Sequence, residues 1–158
     1  FGFVDEVTVV APGINGKMSE INSAFGLLQL NYIENAIERR KEIDGCYREG
    51  LAAVRGVRML NMCAGQRSNY SYFPILIEKQ FPLTRDELYQ RMKDEGIFAR
   101  RYFYPLISDF PMYRGLLSAR RENLPVAADM ADRVICLPMY PALKLSDIGR
   151  VLGLIRNA

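Results

Sequence analysis

The chain has 158 residues, of which 49% are apolar and 25% charged, a composition that suits a folded domain of ordinary size and excludes a disordered or fibrous protein. Its 21 basic and 18 acidic residues leave a net charge of only +3, with the two signs interspersed, so a nucleic-acid partner is not expected. No apolar run approaches a bilayer span, so no membrane partner is expected either, and the expected location is the cytoplasm. There is no histidine, and Cys46, Cys63 and Cys136 are few and far apart. Imidazole catalysis is therefore excluded, and neither a disulfide framework nor a structural zinc or other metal site is expected.

In chain order, Val7, Val9 and Val10 form a β-type stretch, and a Pro/Gly loop follows over residues 11–16. Apolar residues at helical spacing from Ile21 predict a helix starting near Met18 or Ser19 and buried on more than one face. A second helical stretch through Ile33, Ile37, Tyr47, Leu51 and Val54 has Glu34, Glu38 and Arg39–Glu42 as its wet side. The two together predict a long connector helix with room for a bend, ended by Gly56. Val57–Leu60 predicts a short strand and Tyr70–Glu78 a longer one, in which Pro74 favours an edge or a bulge. Thr84-Arg85-Asp86-Glu87 has the pattern of a capping box, and its helix stops at Gly96. Ile97–Tyr104 is expected to be extended, Pro125 to open a short helix, Val134–Pro138 to be a strand, and Ser146 to open a last helix. The sum is an α+β fold: long connector helices, then a small, partly antiparallel sheet of three or four strands packed by helices.

Two segments combine residues with chemistry. Gly13-Ile14-Asn15-Gly16-Lys17-Met18-Ser19-Glu20 leads a loop into a helix start, where free amides and the helix dipole favour an anion and Asn15, Lys17 and Ser19 add donors. The same residues also suit a capped loop with solvated polar groups. In Arg100-Arg101-Tyr102-Phe103-Tyr104-Pro105, strand alternation would send Arg101 and Phe103 one way and Arg100, Tyr102 and Tyr104 the other. That arrangement suits a cleft for a phosphate-bearing sugar, or equally a core of rings with surface arginines. Lys17, Lys41, Lys79, Lys93 and Lys144 all lie in polar contexts, and none has the apolar surroundings of a lysine nucleophile.

These motifs carry a resemblance. The segment 13–20, continued by Ala24-Phe25-Gly26-Leu27-Leu28-Gln29-Leu30, together with Ala99–Leu106, Leu124–Ala127 and Val134–Pro141, resembles four blocks of the DegT-type sugar aminotransferases, in order. These are fold-type-I pyridoxal-phosphate (PLP) enzymes. The resemblance implies a homodimer with shared active sites, in which Asn15 reaches the PLP phosphate bound by the partner subunit and Lys17 adds charge. It implies that Arg101, Tyr102 and Tyr104 line the sugar-nucleotide cleft, although many members carry a histidine there that this chain lacks. It also implies transfer of an amino group from an amino acid, glutamate above all, to a keto group of a nucleotide-linked deoxysugar.

The family's Schiff-base lysine lies in a segment that precedes the asparagine motif, so the chain is expected to be the carboxy-terminal part of such an enzyme, inactive by itself. On that view residues 1–17 are a remnant of the large cofactor domain with its phosphate-contacting loop, 18–55 the connector helices and 56–158 the small carboxy-terminal domain. The alternative is a non-enzymatic α+β module that binds a small metabolite or dimerises.

Overall fold

The computed structural model describes residues 16–61 and 65–158; the β-type stretch at Val7–Val10, Asn15 and Cys63 lie outside them. The chain divides into two compact units, residues 1–35 and 36–158. In the first, helix α1 (Glu20–Leu30) starts where Ser19 caps it, the hydroxyl oxygen accepting from the Asn22 amide at 3.3 Å. No residue of α1 is buried. Phe25 is 61% exposed, and Ile21, Leu27, Leu28 and Leu30 are open as well. The expectation of burial on more than one face is therefore corrected for this chain. Apolar periodicity shows that a helix has a face to cover, and says nothing of where the cover comes from.

A turn at Asn31 and Tyr32 separates α1 from α2 (Ile33–Leu51), so the connector is two helices. Helix α2 ends at Leu51, short of Gly56. The glycine is required for a different reason. At φ +80 it turns the chain into β1 (Val57–Met59), and a Cβ there would stand 2.3 Å from the Phe81 amide nitrogen. Only a residue without a side chain fits both constraints.

The sheet of the second unit has the order β1-β2-β3, with β2 (Phe73–Ile77) in the middle and β3 (Val134–Leu137) beside it, antiparallel throughout. Pro74 thus lies on the central strand in an unbroken register, against the expectation of an edge or a bulge. The register explains how it is tolerated. Cys136 exchanges both backbone hydrogen bonds with Arg100 on its outer side, so its pairing with Pro74 is the kind without hydrogen bonds, and the proline nitrogen faces the β1 side. There β1 has already ended, Met59 pairing with Ile75. The carbonyl of Leu60, next in line, takes a hydrogen bond from Arg48 Nη1 at 3.2 Å. The missing N–H of proline falls where no ladder partner needs it.

Around this sheet stand α3 (Arg85–Asp94), α4 (Pro125–Arg133) and α5 (Leu145–Arg156). Phe73, Ile75 and Ile77 of β2 and Ile135 and Leu137 of β3 enter one core with Ile43, Tyr47 and Leu51 of α2, Leu88 and Met92 of α3, and Ile148, Val151, Leu152 and Ile155 of α5. Each large side chain so buried contributes about 1.5–3 kcal/mol. Leu76, Val134 and Cys136 alternate to the opposite face and are buried too, where α4 packs against β2. Inside the core the Tyr47 hydroxyl donates to the Pro138 carbonyl at 3.0 Å, and burial pushes its phenol well above the usual range. Helix α5 begins one residue before Ser146, with Lys144 as a cap that makes no side-chain bond. Among the described residues no helix is long and apolar enough to cross a membrane.

Candidate functional site

The site is built on the start of α3. The capping box is present in both directions: Thr84 Oγ1 accepts from the Glu87 amide, and the Glu87 carboxylate accepts from the Thr84 amide at 2.7 Å and the Thr84 hydroxyl at 2.8 Å. Those bonds hold the Glu87 carboxyl below the usual carboxylate range. With the first turn fixed, Arg85 and Asp86 have defined directions. Arg85 is 4% exposed. Its Nη1 donates to the carbonyls of Ala131 at 2.8 Å and Val134 at 3.1 Å, where α4 gives way to β3, and its Nε donates to Asp86 Oδ1 at 2.8 Å.

Arg101 reaches the same oxygen, Nη1 to Asp86 Oδ1 at 2.8 Å. Burial alone would push the Asp86 carboxyl up, but the bonds and charges of Arg101 and Arg85 outweigh it and hold the group below its ordinary value. The Arg101 guanidinium also lies over two rings, 4.4 Å from Tyr89 and 5.2 Å from Tyr104, and Arg85 lies 4.5 Å from the same Tyr104 ring. Two cations therefore share one tyrosine and one carboxylate.

Arg100 marks where the chain leaves the sheet. Its amide donates to the Cys136 carbonyl at 3.0 Å and its carbonyl accepts from the Cys136 amide at 2.7 Å, an isolated bridge. The next residues turn, the Tyr104 amide donating to the Arg101 carbonyl at 2.7 Å. The expected extended run to Tyr104 therefore stops at Arg100. Arg100 and Tyr102 stay together as expected, the guanidinium donating to the tyrosine hydroxyl and lying 5.2 Å from its ring. Tyr104 instead joins Arg101, which strand alternation would have put on the other side. The cause is the turn, which breaks the two-residue period. Tyr102 is further fixed by an edge contact with Tyr72 at 5.4 Å, and burial pushes up the thiol of Cys136, which lines the same cavity.

Tyr102 stands between two open cavities. One, of about 550 Å³, is lined by the rings of Tyr102, Phe103, Tyr104 and Phe110, with Leu124 and Ala127 of the α4 region. The other, of about 320 Å³, is more polar and is lined by Tyr72, Arg100, Tyr102, Cys136 and Tyr140. Of the residues expected from sequence, Tyr102 lines both cavities and Tyr104 the larger, while Arg101 stands behind Tyr104. Lys17 is exposed, two residues before the cap of α1, and Asn15 lies outside the described residues. Asp86 and Arg85 were missed. Their signal is present, a charged pair inside the capping box, but it reads as a helix start and nothing more.

Known proteins bear on this arrangement. Residues 2–156 match the DegT/DnrJ/EryC1/StrS aminotransferase family. A dTDP-4-amino-4,6-dideoxy-D-glucose transaminase of Escherichia coli is 52% identical over 155 residues, and one of Shigella dysenteriae 42% identical over 157. These alignments cover 98% and 99% of this chain and 42% of each relative, so the chain spans less than half the length of the relatives it matches. The crystal structure of DesI in the presence of its TDP-sugar product superposes with a TM-score of 0.82 at 34% identity, over 92% of this chain and 36% of that one. With the family match running almost end to end, the chain belongs to the DegT/DnrJ/EryC1/StrS aminotransferase family.

Proposed function

We propose that the complete protein is a PLP-dependent aminotransferase that forms dTDP-4-amino-4,6-dideoxy-D-glucose, moving an amino group from glutamate to the 4-keto group of the corresponding dTDP-linked 6-deoxysugar. The observation that carries this reading is the 52% identity, over nearly the whole chain, to a transaminase of that name. It favours an enzyme over the alternative of a metabolite-binding or dimerisation module.

When bound, PLP supplies the electron sink for amino transfer. The residues of this chain fit the part of the site that holds the phosphate: Lys17 is an exposed cation beside the amide end of an eleven-residue helix. Asn15 and Lys17 would hold the phosphate of PLP bound to the partner subunit. They do not fit the covalent part, because Lys17, Lys41, Lys79, Lys93 and Lys144 are all exposed and none is desolvated as a lysine nucleophile is. The bond-forming lysine therefore belongs to the remainder of the complete protein, and this chain alone is inactive. The open apolar side chains of α1 favour a homodimer in which they are covered.

For the sugar nucleotide, Tyr102 offers a hydroxyl and a ring at the wall between the cavities, and Tyr104 a second ring in the larger one. Arg101, beside Tyr104, adds a fixed positive charge suited to the substrate's phosphates. In this reading these residues bind and orient the sugar, and take no proton in the transfer.

The test is direct. Complete protein, PLP, glutamate and dTDP-4-keto-6-deoxy-D-glucose should yield 2-oxoglutarate and dTDP-4-amino-4,6-dideoxy-D-glucose in equal amounts. No amino sugar from folded, PLP-loaded protein would refute the reading. Asn15→Ala should weaken PLP retention in the complete protein, and unchanged retention would remove Asn15 from the phosphate site.

A further inference from the structure

We propose that Asp86 is a positioning residue for the sugar cleft, holding Arg101 against the Tyr104 ring and thereby fixing the wall formed by residues 102–104. This rests on reading the cavities beside Tyr102 as the sugar-nucleotide site.

Asp86 is anchored from behind. It sits in the first turn of α3, where the positive helix end favours a carboxylate. The capping box fixes that turn, and Leu88 and Met92 bury the helix in the core. The loop it holds has few other ties, chiefly the edge contact of Tyr102 with Tyr72 and the Arg85 guanidinium over the Tyr104 ring. After the Arg100–Cys136 bridge the chain turns away from the sheet, and Phe103 is 73% exposed. The Arg101–Asp86 contact joins this loop to α3 by a charge-assisted bond at 2.8 Å.

The two arginines respond differently to loss of the carboxylate. Arg85 is buried and tied to two backbone carbonyls, so it stays. The Arg101 side chain is 33% exposed and has no such tie, so it moves. Without a negative charge between them the two cations over the Tyr104 ring repel, and the exposed one swings out. Tyr104 loses a cation–π partner, and the cavity wall loses its register against α3. The Asp86–Arg101 pair is itself partly solvated and adds little to global stability, and Asp86→Asn keeps an oxygen that can accept from the buried Arg85 Nε, so the consequence falls on binding.

The experiment uses the complete, PLP-loaded enzyme and the variants Asp86→Asn, Asp86→Glu, Arg101→Ala and the Asp86→Asn/Arg101→Ala double. Calorimetry with dTDP-4-amino-4,6-dideoxy-D-glucose, the cofactor being in its amine form so that no transfer occurs, gives Kd. Steady-state rates give kcat and KM. Asp86→Asn should raise Kd and KM about tenfold, with kcat changed less than about twofold and PLP retention unaltered. Asp86→Glu should recover most of the loss. The double variant should bind no worse than Arg101→Ala, because Asp86 acts through Arg101. Unchanged Kd in Asp86→Asn, or penalties that add in the double variant, would overturn the proposal. So would an Asp86→Asn protein that does not fold, since Asp86 would then serve the fold. Wild-type enzyme inert toward the dTDP-sugar would bring down the functional reading instead. Active wild type with an indistinguishable Asp86→Asn brings down this inference alone.

Discussion

Helices α1 and α5 are nearly the same length, and each is rich in large apolar residues. Helix α5 buries Ile148, Val151, Leu152 and Ile155, with Ile148 only 2% exposed, whereas α1 buries nothing and leaves Phe25 61% exposed. The difference lies in the partner and not in the helix. The surfaces that cover α5 are in this chain: Tyr47 and Leu51 of α2, Leu88 and Met92 of α3, and the face of β2. The exposed apolar side chains of α1 are what the proposed dimer would cover, in a chain that spans 42% of its relatives.

Substitutions can set the two helices against each other. The largest contrast should come from Ile148→Ala and Phe25→Ala. Removing a fully buried isoleucine costs about 2–5 kcal/mol. In the 158-residue chain Phe25→Ala should cost less than about 0.5 kcal/mol, like other surface changes. Urea unfolding of both measures this. If the proposed dimer covers α1, Phe25→Ala in the complete protein should become costly and should weaken that dimer on sedimentation. A Phe25→Ala enzyme as stable and as dimeric as wild type would break the comparison.

Gly50→Ala comes next. A Cβ at Gly50 would stand 2.4 Å from a terminal carbon of Leu152, which is buried, so α2 and α5 must part or Leu152 must leave its rotamer. Overpacking of this kind costs about 1–3 kcal/mol. A neutral Gly50→Ala would mean that the covered side of α5 is looser than its burial implies.

The start of α3 offers a smaller effect with a pH signature. Thr84→Ala should cost about 1 kcal/mol. Glu87 is held low by its bonds to Thr84, Glu78 by Arg58, and Asp86 by Arg101 and Arg85 against the upward push of burial. Each therefore has a lower pKa folded than unfolded, where carboxyls titrate near about 4. The unfolded chain binds more protons, so this contribution is full above that range and is lost as pH falls through the lowered values. Thr84→Ala should unfold less steeply with acid, and acid unfolding identical to wild type would deny the box its role.

What was legible in the sequence was local. The capping box, Pro125 at a helix start and the strands around Val57 and Val134 depend on residues a few positions apart, and they stand where the sequence puts them. The α+β class followed from those pieces. Strand order did not: Pro74 reads as an edge signal, yet it sits mid-sheet because β1 stops one pair short of it. At the site, Tyr102 and Tyr104 were found as members of an aromatic run, but their partners were not. The pairing of Arg101 with Asp86 spans fifteen residues, and the turn after Arg100 overrides the strand alternation that would have separated Arg101 from Tyr104.

The smallest effect is also the sharpest test of what α1 lacks. Gly26 lies inside α1, and a Cβ there meets nothing within 4 Å. Alanine is a better helix former than glycine by about 0.5–1 kcal/mol, so Gly26→Ala should stabilise α1 in the 158-residue chain by no more than that, read as helix content by circular dichroism. In the complete enzyme the same methyl group meets whatever covers the helix. If the proposed dimer packs closely at Gly26, the gain disappears or reverses and the dimer weakens; if it covers the sides marked by Ile21, Phe25 and Leu28 and leaves Gly26 free, the gain persists. Either way the comparison of chain with complete protein maps the face of α1 that the proposed dimer would cover, as the core of the second unit covers α5.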